Sequence, residues 1–360
     1  MKTIPLNFRC LLIIFIFTSA FILFTMLSLD EAVIEDYYMR TCSYTDGIKL
    51  DNTSAKIVLR FQKRFNRYTI NSINQRNQTS SATNFITIDD CGRRGCRLGN
   101  RMFQVASLLG IAMSNNLIPI YRKISVFEHD DKAWWNIYWL RYTKYWVTIK
   151  EDASTIFYND SSALSVLYPR QDILIGKYLQ SFRYFKDISD ILRQEFTFTN
   201  VIRLKAITFY LKLNESLKAQ LLTSTLIGIH VRRTDMLDPS LGRNSPNISY
   251  YENAINYYKT KIQQPLIFIV CSDDIHWAKT SMRHLSENIV FSDERRPAVD
   301  LAILSLCDHV IMSVGTFGWW AGYLAGGQVV YYRNQYVKGS KRYMDYNNAD
   351  FIPPGWVGLT

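Results

Sequence analysis

The chain is poor in the usual devices for holding metals and nucleotides. Among its 360 residues there is no Asp-x-Asp, so the carboxylate pair that clamps a divalent ion is missing. No Cys/His spacing fits a zinc site. Gly-x-Gly-x-x-Gly is absent, and so is Gly-x-x-x-x-Gly-Lys-Ser/Thr, which removes the dinucleotide fingerprint and the P-loop. RNA-binding and zinc-finger signatures do not occur. The net charge of +11 is spread rather than clustered, so it favours anionic partners in general and gives no footing to nucleic acid. Internal repeats and long runs of one charge sign are missing too.

What the chain does have is apolar content, 48% of residues, enough for one large or two moderate cores. Residues 10–29 carry no charge. A helix of that length spans about 30 Å, one hydrocarbon core. Lys2 and Arg9 precede the run, and Asp30, Glu31, Glu35 and Asp36 follow it. Residues 1–9 are therefore expected in the cytosol and the rest of the chain in a lumen or outside. The rival is a signal peptide cut after Thr18-Ser19-Ala20, but the apolar run outlasts a signal core, so an uncleaved anchor is expected. Glycosylation acceptors at Asn52, Asn77, Asn159, Asn214 and Asn247 agree with a luminal chain. Five cysteines follow the anchor. Cys91 and Cys96 flank Gly-Arg-Arg-Gly, a spacing that allows a small loop disulfide. Cys42 is left over, while Cys271 and Cys307 lie in apolar runs and read as core residues. Residues 30–84 read as a stem, most clearly the polar stretch 66–84.

Folded structure is expected to resume at Phe85, with a strand over 85–88 followed by glycines and an apolar helix from Leu98. Trp134, Trp135, Tyr138, Trp139, Tyr142, Tyr145 and Trp146 form a dense aromatic belt, read first as packing and second as a sugar surface. Residues 182–198 and 202–222 have helical periodicity. From there strand-like runs (226–231, 266–271, 288–291, 309–314, 328–332) alternate with helix-like ones (250–263, 276–285, 299–307, 317–325). This alternation predicts an α/β fold with a parallel sheet covered on both faces.

Polar residues follow each strand, where open α/β sheets bind ligands. After the first come Arg232-Arg233-Thr234-Asp235, after the second Ser272-Asp273-Asp274, after the third Ser292-Asp293-Glu294. The fourth runs from Ser313 through Gly315, Thr316, Phe317 and Gly318 into a helix, which crowds backbone amides at a helix start and makes an anion site. Paired guanidiniums opposite such a site suit a diphosphate. Asp273 is suited to a ribose hydroxyl or base edge, and equally to capping a helix near His276. Strand alternation puts His230 and Arg232 on one face and Arg233 on the other, so one arginine is expected on phosphate and one in a structural pair.

His230-Val231-Arg232-Arg233-Thr234-Asp235 resembles the His-x-Arg-Arg-x-Asp motif of α1,2-, α1,6- and protein O-fucosyltransferases. The stretch Thr316-Phe317-Gly318-Trp319-Trp320 and onward to Gly327 resembles the closing motif of the α1,2 branch, glycosyltransferase family 11. Leu98-Gly99-Asn100-Arg101-Met102-Phe103-Gln104 is similar to that branch's Gly-Asn-Gln-Met-Phe-Gln, with Arg101 where the branch usually has Gln. Thr234 stands where many of its members have Gly.

The resemblance implies a GT-B-like fold of two Rossmann-like halves behind the anchor and stem. Residues 85–225 would form the acceptor-side half, with Gly99, Asn100 and Gln104 near the cleft, and residues 226–360 the GDP-fucose half. It implies an inverting, metal-independent fucosyl transfer from GDP-fucose to a galactoside-type hydroxyl, with no cofactor. Arg232 and Arg233 would meet the donor phosphates, with Asp273, Ser313, Gly315, Thr316, Phe317 and Gly318 also on the donor. Asp235 and His230 are the base candidates, ahead of Asp238 and Glu252. It further implies a single-pass type II Golgi membrane protein whose partners are GDP-fucose, a glycan on glycoprotein or glycolipid, and the membrane through one helix. A homodimer is compatible with this. The competing class is an anchored carbohydrate-binding protein without turnover. A luminal sulfotransferase lacks support, since no phosphosulfate loop follows the first strand.

Overall fold

The structure is a computed structural model that describes residues 51–66, 84–88, 97–120, 146–149, 172–176 and 178–360. The anchor, most of the stem, Asn77, Asn159, Cys42, Cys91, Cys96 and all but Trp146 of the aromatic belt lie outside the described residues, and the side chain of Trp146 is not described.

The chain divides into two compact units at Arg60/Phe61, inside helix α1 (Asn52–Asn66). In the first, Asp51 Oδ1 accepts the Ser54 N–H at 2.7 Å and caps the helix start. In the second, the end of the same helix is anchored. The Phe61 ring lies 4.3 Å from that of Tyr210, and Arg64 donates to the Leu306 carbonyl and pairs with Asp308. This corrects the stem reading. Phe61 and Phe65, one helical turn apart, carry an apolar stripe that needs cover, and the folded body supplies it.

The described strands of the second unit form two all-parallel sheets. The first contains β1 (Phe85–Ile88), β2 (Ile118–Ile120), β3 (Trp146–Ile149) and β4 (Asp172–Ile175), in the order β2-β1-β4-β3. Helix α2 (Leu98–Ser114) follows β1 and is buried along most of its length. The expected helix over 182–198 is broken into two 3-10 turns and a short helix, α3 (Ser189–Glu195). The expected helix over 202–222 is two, α4 (Asn200–Leu211) and α5 (Glu215–Gln220), because Asn214 caps a fresh start by accepting the Leu217 N–H.

The second sheet contains β5 (Thr225–Val231), β6 (Leu266–Ser272), β7 (Ile289–Phe291), β8 (His309–Met312), β9 (Val329–Tyr332) and β10 (Val357–Leu359). Helices α6 (Ile248–Lys261), α7 (Ile275–Met282), α8 (Pro297–Ser305) and α9 (Gly315–Ala325) connect successive strands. Two short helices, α10 (Lys341–Met344) and α11 (Asn348–Phe351), precede β10, a strand that the sequence pattern did not disclose. The order is β10-β9-β8-β5-β6-β7, so the direction of winding reverses between β5 and β8. Such a reversal opens a crevice at the carboxyl ends of the two strands. The core of β5 is continuously apolar because helices cover both faces of the sheet.

The two sheets are joined through α2 and α9. Phe103 on α2 packs its ring 4.6 Å from Trp319 and 5.2 Å from Trp320 on α9. Trp320 Nε1 donates to the Gly99 carbonyl at 3.0 Å, and Trp319 Nε1 donates to the Phe351 carbonyl at 2.7 Å. Buried indole N–H groups placed on carbonyls let the rings fill the seam without a desolvation penalty.

Candidate active site

A cleft of about 1680 Å³ lies where the amino ends of α2 and α9 meet the carboxyl ends of β5, β6 and β8. Gly99 makes this meeting possible. A Cβ on Gly99 would fall 2.7 Å from the Phe317 nitrogen and the Thr316 carbonyl carbon, which are backbone atoms at the start of α9. Thr316 Oγ1 donates to Asn100 Oδ1 at 2.7 Å and Gln180 Nε2 donates to the same oxygen at 3.0 Å, so Asn100 holds the two helix starts together. Gly315, at φ 83°, opens α9, and Gly315, Thr316 and Phe317 face the cleft.

The two arginines part company. Arg232 lines the cleft; its guanidinium donates to Asp235 Oδ1 at 2.5 Å and lies 2.9 Å from Asp273 Oδ2. Arg233 turns to the other face. Its guanidinium carbon sits 3.8 Å above the Trp277 ring, with Asp274 3.4 Å from Nε. The cleft arginine is thus the one paired with Asp235, and the structural one is stacked on an aromatic face. Asp235 is heavily engaged. Arg97 and Arg243 lie 3.9 and 3.8 Å from its Oδ2.

Several residues expected on the donor have internal partners. Ser313 is fully buried, accepts the Arg232 N–H at 2.9 Å and meets His230 Nδ1 at 3.2 Å, so it shapes the arginine turn from behind. Asp273 accepts the Arg233 N–H at 2.9 Å and the Thr234 hydroxyl besides pairing with Arg232; it lines the cleft with its oxygens already engaged. The helix-capping alternative for Asp273 is not what the structure has: Asp274 caps α7 by accepting the Trp277 N–H at 3.2 Å. Gly318 lies behind the cleft wall, and the Cβ it lacks would sit 2.4 Å from His230 Nδ1. Gln104 is fully buried one turn along α2 and is not among the lining residues, because the α2 face it occupies turns to the core. Gly99 and Asn100 do line the cleft, and so does Arg101.

His230 lines the cleft but is only 5% exposed, and its ring is 5.2 Å from that of Phe317. Burial lowers its pKa to about 4, against the opposing pull of Asp273, so the imidazole is neutral at pH 7. Asp238 is exposed and takes the Ser240 N–H and hydroxyl, which lowers its pKa. Neither Asp238 nor Glu252, in the second turn of α6, lines the cleft. Asn52 is exposed in the first turn of α1, while the exposed Asn214 and Asn247 cap α5 and α6.

Sequence reading missed two groups. Asp300 lies in the apolar helix α8 yet reaches the cleft, where Ser292 Oγ donates to its Oδ1 at 2.8 Å. Burial pushes its pKa up to about 7, against hydrogen bonds from Ser292 and Cys271. A lone carboxylate inside Pro-Ala-Val-Asp-Leu-Ala-Ile-Leu was the available signal. The other is Arg243, with Lys341 and Arg342 on the same wall. No local pattern marks these, since the loops carrying them are remote in sequence. Cys271 and Cys307 are buried, as expected of core residues.

The profile described as glycosyl transferase family 11 matches residues 55–360. The chain is similar to galactoside 2-alpha-L-fucosyltransferase SEC1 of Bos taurus, 29% identical over 284 residues, covering 73% of this chain and 72% of that one. It is similar to galactoside alpha-(1,2)-fucosyltransferase 2 of Mus musculus, 28% identical over 303 residues, covering 78% and 80%. Among solved structures, that of a mutant of Arabidopsis thaliana FUT1 in complex with GDP superposes with a TM-score of 0.49 at 14% identity, covering 82% of this chain and 81% of the other.

Proposed function

The chain belongs to glycosyltransferase family 11, and from that membership we propose that it transfers L-fucose from GDP-fucose to a hydroxyl of a galactoside glycan, making an α1,2 linkage with inversion at the fucose anomeric carbon and without a metal ion. The names of the Bos taurus and Mus musculus relatives support the linkage. The paired parallel sheets fit a GT-B-like arrangement with an acceptor half and a donor half.

The observation that carries the reading is the placement of Arg232 and the start of α9 on the two sides of the β5/β8 reversal, with Asp300 beyond them toward β6 and β7. With its pKa at about 7, Asp300 is partly ionised at neutral pH, and in that form it only accepts and matches the N1–H and amino donors of guanine. A diphosphate running from there would reach the α9 amides and Arg232. As the fucose bond breaks, charge grows on the β-phosphate, and fixed guanidinium and amide dipoles in a partly dry cleft stabilise it. Arginine charge takes the part that a divalent ion plays elsewhere.

The acceptor hydroxyl must lose a proton. His230 holds protons weakly and is hydrogen-bonded to Ser313. Asp235 is the better base, on condition that the phosphates draw Arg232 away from it. Donor entry would then free the base, and acceptor attack would follow donor binding.

For location we propose a type II Golgi membrane protein held by residues 10–29, with the catalytic unit luminal and the sequons of exposed Asn214 and Asn247 available for glycans. Full-length protein incubated with GDP-fucose and a panel of galactosides tests the activity. Transfer to the 2-hydroxyl of galactose, unchanged by EDTA, is the expected outcome. GDP binding without transfer to any galactoside would remove the enzymatic reading. Glycan binding with no affinity for GDP would favour the carbohydrate-binding alternative.

A further inference from the structure

Two loops close one wall of the cleft. One follows β5 and the other follows β9, and they are paired like a short ribbon. Asn244 N–H donates to the Gln335 carbonyl at 3.0 Å, Val337 N–H donates to the Gly242 carbonyl at 3.2 Å, and Arg243 bridges Tyr336 in antiparallel register. Ser340 Oγ also donates to the Gly242 carbonyl, at 3.3 Å. Arg243 is therefore held on paired backbone, although it lies in a loop. Its side chain, 27% exposed, is aimed into the cleft.

Charge converges there. Arg232 and Arg243 approach the two oxygens of Asp235 from different loops, at 2.5 and 3.8 Å, and Arg97 is 3.9 Å away. The charge of Arg342, on the same wall, also acts on Arg243. Three guanidiniums thus share Asp235, with that of Arg342 close behind, and among the described residues the further carboxylate on Arg232 is Asp273, which already serves the arginine turn. Burial comes first among the influences that lower the Arg243 pKa, and repulsion from Arg342 and Arg232 adds to it. A cleft that gathers like charges at such cost is relieved by an anion.

The order of the strands says which part of the anion. From Asp300 near β6 and β7, the cleft passes Arg232 at β5 and the α9 start at β8, and ends at the ribbon beyond β9. Arg243 lies at the far end of that line. Resting on the GDP-fucose reading above, we propose that Arg243 is a second arginine for the donor, joining Arg232 on the β-phosphate while the α9 amides reach the α-phosphate side, with Arg342 adding positive potential behind it.

The test is calorimetry on the full-length protein with GDP, GMP and guanosine. In the wild type GDP should bind more tightly than GMP. Arg243→Gln should weaken GDP about tenfold or more, the range for loss of a charge-assisted contact, and leave GMP within about threefold. Retained GMP binding shows in the same experiment that the variant is folded. Arg243→Lys, which keeps the charge and loses the fork, should fall between the two. The exposed Arg342→Gln should weaken GDP by about threefold and leave GMP unchanged. Unchanged GDP affinity in Arg243→Gln overturns the proposal. Equal loss of GDP and GMP also overturns it, since an arginine that only orients Asp235 or the loop would not distinguish them. Failure of the wild type to bind GDP at all would instead overturn the donor reading, and the proposal with it.

Discussion

Burial shifts Asp300 and His230 in opposite directions. His230 has its pKa lowered from 6.5 to about 4 and Asp300 has its raised from 3.8 to about 7, both first by burial. Between about pH 4 and 6.5 the unfolded chain protonates His230 and the folded chain does not, so this group makes stability rise with pH. Over about pH 4 to 7 the folded chain keeps a proton on Asp300 that the unfolded chain has lost, so this group makes stability fall as pH rises. The two slopes oppose. Relative to wild type, Asp300→Asn should make stability rise more steeply from about pH 4 to 6.5, and His230→Gln should make it fall. Urea melts across that range check this, and variant slopes indistinguishable from wild type would contradict it. The arginines separate as clearly. Arg232→Ala should lower kcat/KM for fucosyl transfer by about 10²–10³-fold, the usual loss for a transition-state charge contact. Arg233→Ala should act mainly on stability, by about 1–2 kcal/mol, because its guanidinium rests on Trp277 and Asp274. Kinetics and melts on both variants tell the roles apart.

At the scale of elements, the site is a contact between two helix starts. Gly99 brings α2 against the backbone of α9, Asn100 bonds Thr316, and Trp320 bonds back to the Gly99 carbonyl. Gly99→Ala must push these backbones apart, since neither Thr316 nor Phe317 can yield by a side-chain rotation. A loss of about 1–3 kcal/mol is expected from overpacking, with weaker GDP binding because the α9 amides move. Trp320→Phe keeps an aromatic ring but loses the pyrrole half of the indole with its N–H, and should cost about 1–3 kcal/mol for the unpaired carbonyl plus the cost of the small cavity. Thermal melts with and without GDP check both. The Leu98–Gln104 stretch was legible as a βα turn, but its two faces were not: Gly99 and Asn100 face the cleft while Gln104 is buried. Periodicity tells which residues share a face, and only packing tells what that face meets.

For the whole molecule, the boundary between stem and folded body matters most. The end of α1 belongs to the folded unit through Phe61, Arg64 and Phe65. A chain beginning at Phe85 should therefore be much less stable than one that keeps the whole of α1. Phe61→Ala alone should cost about 3 kcal/mol or more, as expected for a large side chain removed from a full contact. Chemical denaturation of the two truncations and the point variant measures this, and equal stability of both truncations would restore the stem reading.

The second sheet and its helices were written in the amino acids themselves. Parallel strands buried on both faces must be continuous apolar runs, and helices between them must show the longer period, so β5 to β9 and their connections could be read in order. The arginines at the end of β5 and the glycine turn before α9 were equally visible, because a ligand edge requires polar groups at strand ends. The three residues of β10 carried too little pattern to be seen. Only the tertiary structure decided which arginine faces the cleft, that Ser313 and Asp273 serve the arginine turn, and that Asp300 and Arg243 belong to the site at all. Those facts depend on neighbours far apart in the chain: Asp300 with Ser292 and Cys271, Arg243 with Asp235 and Tyr336. Charge, burial and hydrogen bonding act through space, and their partners are chosen when the loops close on one another.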